Sequence, residues 1–97
     1  MIRHTVVFSL KHAKSSLKEA AFLKAADILA EIPGVEKFEK MAQVSVKNDY
    51  NFGFSMEFAD QAAYSFYSDH PDHVAFVKER WNPEVARFKE IDYVIIA

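Results

Sequence analysis

The chain contains no cysteine, so it can build neither a disulfide framework nor a thiolate metal site, and redox chemistry says nothing about its compartment. With two glycines and three prolines in 97 residues it has no linker, repeat or low-complexity tract, and it reads as one domain over residues 1–97. Charge of one sign is also scarce. Twelve Lys and Arg against fourteen Asp and Glu leave a net charge of −2, without the basic stripe that tracks phosphates, which excludes nucleic acid as a partner. No apolar run approaches the ~20 residues that span a bilayer, so no membrane partner is expected. The opening Ile2-Arg3-His4-Thr5-Val6-Val7-Phe8 lacks the continuous apolar segment of a secretory signal, and the expected location is the cytoplasm.

Apolar mass, by contrast, is plentiful. Hydrophobic residues make up 51% of the chain, with nine Phe, four Tyr and one Trp. That is enough for a core and one further buried face, and it favours a homodimer over a lone monomer.

Residues 2–10 alternate, with Ile2, His4, Val6, Phe8 and Leu10 at one parity, the pattern of a half-buried strand. Ser16 and Glu19 form a capping box that opens a helix over residues 16–32, ended by Pro33-Gly34. A second strand is expected over 35–46 and a turn at Asn48-Asp49-Tyr50-Asn51. Phe52, Phe54, Met56 and Phe58 then alternate along a third strand over 51–59. Asp60 caps a short helix that breaks at His70-Pro71, and a new helix runs from Pro71 to Trp81, where Asn82-Pro83 interrupts it. Glu84 to Arg87 would add a last turn before a final strand over 88–97. The order β-α-β-β-α-β predicts an α+β, ferredoxin-like fold with one antiparallel four-stranded sheet and its helices on one face. The other face needs a cover. A second copy would supply it, giving a dimeric α+β barrel with a sheet-lined cavity between the copies.

Proton-transfer chemistry concentrates in Tyr67-Ser68-Asp69-His70-Pro71-Asp72-His73. His73 falls in the first turn of a helix, where the positive end of the dipole favours a neutral ring that can act as a base. Tyr67 can donate or accept a proton at an oxyanion. These two are the candidate catalytic residues, and against that reading both types also serve as ordinary helix side chains. His70 precedes the proline and suits orientation of the turn. His4, on the apolar parity of the first strand, reads as a core histidine or as a group lining the ligand cavity. His12, in a lysine-rich connection, reads as solvated. His4, Phe52, Phe54 and His70 are the candidate ligand-binding residues. Asp69, His70, Asp72 and His73 are close in sequence, but no second ligand cluster accompanies them, and neither a metal nor another cofactor is expected.

His4 with Val6 and Phe8, Ile32-Pro33-Gly34, Glu57-Phe58, Tyr67-x-x-His70-Pro71-x-His73-Val74 and Ile91-Asp92-Tyr93 together resemble the stress-responsive A/B barrel family, nearly end to end. The His-Pro-x-His-Val core is the specific part. The resemblance implies a dimeric α+β barrel, in most members without an assigned reaction. It also implies, by likeness to plant polyketide cyclases, an acid and a base at Tyr67 and His73 with His4 lining the cavity. The pattern differs in two places: Phe52 stands where such a cyclase has a histidine, and helix one is alanine-rich where it has a tyrosine. A more apolar cavity is the expected result. Trp81-Asn82 is similar to a feature of haem-degrading enzymes on the same barrel, but Trp81 reads as an anchor of helix against sheet. Two functions follow. One is a cofactor-independent lyase or cyclase acting on a carbonyl or polyketide-like substrate. The other is a dimeric module of unassigned activity that binds a small apolar or aromatic ligand, or whose barrel is filled by its own phenylalanines. A pocket reached by Tyr67 and His73 distinguishes an occupied barrel from a usable one.

Overall fold

The computed structural model describes residues 1–97. Strand β1 (Ile2–Leu10) leads to helix α1 (Leu17–Ala25), which tightens into a 3₁₀ helix over Ala26–Glu31. Strands β2 (Glu36–Ala42) and β3 (Phe52–Phe58) follow, then α2 (Gln61–Asp69) and α3 (Pro71–Phe76). A π-helical stretch at Val77–Trp81 and a short helix α4 (Asn82–Glu84) then deliver the chain to β4 (Val85–Tyr93). All pairings are antiparallel and the strand order is β2-β3-β1-β4, the ferredoxin-like arrangement predicted from the sequence. No helix is long and apolar enough to cross a membrane.

Local chemistry explains the boundaries. The Ser16 hydroxyl accepts from the Glu19 N–H at 3.2 Å, while the Glu19 carboxylate accepts from the Ser15 N–H at 3.1 Å. Asp60 Oδ1 accepts from the Ala63 N–H at 2.9 Å and starts α2, a cap that contributes about 1 kcal/mol. Gly34 adopts φ +92°, a left-handed backbone that turns the chain after Pro33 and that a side chain would strain. Two strands differ from expectation. β2 ends at Ala42, because Val44 and Val46, 88% and 99% exposed, have no sheet partner despite their alternation. β4 begins at Val85, so Glu84–Arg87 adds no separate turn: the helix crosses Pro83 through the widened π turn and ends where the Glu84 carbonyl accepts from the Lys11 N–H at 2.8 Å.

Register sorts the side chains. Antiparallel partners share a face, and the pairs His4↔Met56, Val6↔Phe54 and Phe8↔Phe52, with Asp92, Glu90 and Phe88 opposite the same three β1 residues, put all of these on the face that carries the helices, the three from β4 at its exposed edge. Phe8, Phe22 and Phe58 are fully buried, and the Phe8 ring lies 4.7 Å from Phe54, 5.0 Å from Trp81 and 5.8 Å from Phe22. The opposite parity forms the open face. It is mixed, with an Arg3–Glu57 ion pair at 2.8 Å beside exposed Met41, Ile91 and Tyr93.

His12 is not solvated as its lysine-rich setting suggested. Its Nε2 lies 2.7 Å from Glu84 Oε1, and Arg80 Nε lies 2.8 Å from the other oxygen, a cluster that ties the β1–α1 connection to the start of β4.

Candidate functional site

A cavity of about 240 Å³ lies between the sheet and the helices of one chain. The sequence placed a cavity on the uncovered sheet face between two copies. It forms on the other face because β1, β3 and β4 present His4, Val6, Phe54, Met56, Phe88 and Glu90 towards the helices, which cover them incompletely. The helical wall comes from Leu29, Tyr67, His73, Phe76 and the π-helical stretch with its flank, Val77, Trp81 and Asn82. Single π turns of this kind recur at functional sites.

Four sequence candidates meet here: His4, Phe54, Tyr67 and His73. Phe52 and His70 do not. Phe52 sits further along β3, beside Phe8 at 5.8 Å, and lines a separate depression with Leu10 and Asn51. His70 is the N-cap of α3: its Nδ1 accepts from the Asp72 N–H at 3.1 Å, and its ring meets the edge of Phe66 at 5.7 Å.

Tyr67 is 3% exposed, and its hydroxyl makes no hydrogen bond within the chain. Burial, and secondarily the Glu90 charge, hold its phenol above the ordinary value of 10, so it stays protonated and acts as a donor. His73 lies beside it, ring centroids 4.5 Å apart. Its Nδ1 donates to the Ser68 carbonyl oxygen at 2.9 Å, which leaves Nε2 as the lone-pair nitrogen of the neutral ring. Burial is the largest influence on His73 and pushes its pKa below 6.5; the Ser68 bond opposes this, and His4 reinforces it. A neutral His73 at pH 7 follows.

His4 is held differently. Its Nδ1 donates to Asp92 Oδ1 at 2.6 Å, and the Tyr64 hydroxyl, 2.8 Å from the same nitrogen, donates to Asp92 Oδ2 at 2.8 Å. The carboxylate fixes the Nδ1–H tautomer, so the nitrogen left over on this cavity-lining ring is Nε2. Burial and the Asp92 carboxylate both push the Tyr64 phenol up, and it too remains a donor. Asp92, Tyr64 and Glu90 did not stand out as site residues in the sequence. One signal was there: Asp92 lies at the parity of β4 that faces His4 across the sheet. No group of three or more His, Asp or Glu side chains converges as a metal site would require.

Three solved structures share this architecture. A Dabb-family protein with a ferredoxin-like fold from Mesorhizobium loti is 65% identical, with a TM-score of 0.96 over 99% of this chain and 97% of that one. A dimeric ferredoxin-like protein of unknown function from Thermobifida fusca is 22% identical (TM-score 0.80, 97% and 90% covered). A hydroxynitrile lyase from Passiflora edulis is 17% identical (TM-score 0.85, 98% and 93% covered). At those two identities the likeness is one of fold. No functionally curated protein gives a significant match to the chain. The family model of the stress responsive A/B barrel domain matches residues 2–95, and the chain belongs to that family.

Proposed function

We propose that this protein binds a small, largely apolar carbonyl compound in the cavity between its helices and sheet, and that it moves a proton on that compound without a cofactor. The observation that carries this reading is the convergence of Tyr67, His73 and His4 on one mainly apolar cavity, with the Tyr67 hydroxyl and both histidine Nε2 atoms unused by the chain. A phenol kept protonated by burial suits a carbonyl oxygen that gains negative charge. His4, backed by the Asp92 carboxylate, suits the base, because that carboxylate holds the ring proton on Nδ1 and leaves the Nε2 lone pair for the cavity. His73, whose burial disfavours the imidazolium, suits a second contact to substrate or the return of a proton. The lyase named among the structural neighbours is consistent with proton chemistry on this fold, and lends it no more than that.

Acetophenone is a suitable probe, since Trp81, the single tryptophan, lines the cavity. Its binding should quench or shift Trp81 fluorescence, and Tyr67→Phe should weaken it roughly threefold to tenfold, the range of one hydrogen bond. The affinity should hold as pH falls from 7 to 6.5, and decline only below the ordinary histidine value, because His73 gains its proton there. An unchanged Trp81 signal at saturating acetophenone would sink the reading.

The same reading includes a homodimer through the open sheet face. Met41, Ile91 and Tyr93 are exposed there, and Val94, Ile95 and Ile96 follow at the end of β4, more apolar surface than a monomer usually leaves in water. The dimeric relative of the same fold is consistent with this. Light scattering should give the mass of two 11.1 kDa chains, and a monomer at micromolar concentration would refute it.

A further inference from the structure

Beside the cavity, and sharing part of its helical lining, is an open depression of about 260 Å³ lined by Ser68, His73, Val74, Val77, Lys78 and Asn82. His73, Val77 and Asn82 line both spaces, so the two adjoin at these side chains. The two sides differ in charge. The inner cavity has Glu90 at its β4 side, and Glu90 forms no ion pair. The depression has Lys78, whose ammonium also lacks an ion-pair partner, together with the Ser68 hydroxyl and the Asn82 amide, neither of which bonds within the chain. An ammonium, an amide and a hydroxyl beside two valines form a donor-bearing patch with no carboxylate in its lining.

Resting on the carbonyl-binding reading above, we propose that the depression is the subsite for an anionic tail of the same ligand, and that Lys78 determines specificity for it. The substrate class is then a carbonyl compound with an apolar head and a carboxylate a few carbons away. The head occupies the inner cavity beside Tyr67 and His73, and the tail runs past the shared His73, Val77 and Asn82 side chains to Lys78. Glu90 favours one orientation, because a carboxylate turned the other way would lie beside its negative charge.

The test compares 4-benzoylbutyrate, its methyl ester and acetophenone by Trp81 fluorescence. In the wild type the carboxylate should bind roughly fivefold more tightly than its ester at low ionic strength, the advantage expected of a solvent-exposed ion pair, and high salt should erase most of it. Lys78→Ala should bring the ratio of the two affinities to about one, and Lys78→Glu should reverse it, while ester binding reports that each variant is folded. If the ester and acetophenone bind but the ratio is the same in all three proteins, the subsite is refuted and the carbonyl-binding reading stands. If none of the three probes alters Trp81, both fall together.

Discussion

Phe8→Ala is expected to cost about 3–5 kcal/mol, the range for removing a fully buried aromatic ring. A domain of this size holds on the order of 5–15 kcal/mol in total, so that single change takes a large share of it. Phe8 is the place where the effect is concentrated. Its ring has no exposed surface and touches two aromatics from each layer: Phe22 of α1 and Trp81 of the π-helical stretch on the helical side, Phe52 and Phe54 of β3 in the sheet. Removing it leaves four rings facing a void that backbone on both sides prevents from collapsing. Urea unfolding at fixed protein concentration should show a much lower midpoint at unchanged slope. Phe8→Leu, which keeps most of the volume, should cost less than about 1.5 kcal/mol. A Phe8→Ala midpoint within experimental scatter of the wild type would mean the aromatic cluster does not hold the sheet to the helices.

If the protein moves a proton as proposed, Asp92→Asn is expected to lower hydrogen exchange at the methyl group of acetophenone by about 10²–10⁴-fold, the contribution of a positioned general base. The substitution preserves shape and changes what His4 meets. A carboxylate can only accept, so His4 keeps its proton on Nδ1 and offers Nε2 to the cavity; an amide can present its NH₂ to Nδ1, moving the proton to Nε2 and closing the lone pair to substrate. Asp92 thus acts through His4 as a positioning residue. Nitrogen NMR of the His4 ring distinguishes this from a merely structural loss, since the tautomer should switch while acetophenone affinity changes little. Tyr64→Phe removes one of the two donors to the carboxylate but keeps the charge, so the Nδ1–H tautomer should persist and most of the exchange activity with it. An Asp92→Asn protein with the wild-type tautomer and wild-type exchange rate would remove His4 from the chemistry.

The elements legible in the sequence were those fixed by local chemistry. Ser16, Asp60 and Pro71 announce helix starts through backbone groups within a few residues, and the alternation around Phe8 and Phe54 announces strands through a two-residue period. Where the reading ran long, at Val44 and Val46, alternation was present without a partner strand to pair it. The site was legible only in part for a related reason. Tyr67 and His73 are six residues apart around one proline, whereas His4 and Asp92 are 88 residues apart and meet through the β1–β4 register. His70 and Phe52 show the converse. Each has the right chemistry or parity, but His70 is committed to a helix cap, and Phe52 is displaced along its strand away from the cavity.

The strict alternation of β1 has a consequence for how much its length can vary. One face of the strand carries His4, Val6 and Phe8, which build core and cavity, and the other carries Arg3, Thr5 and Val7, which belong to the open face. Inserting or deleting a single residue within it would exchange the two sets at once, putting an arginine or a threonine where His4 meets Asp92 and ejecting a phenylalanine from the core. The connections at 11–16 and 43–51 bear no such constraint, and length variation among relatives should gather there rather than in the strand.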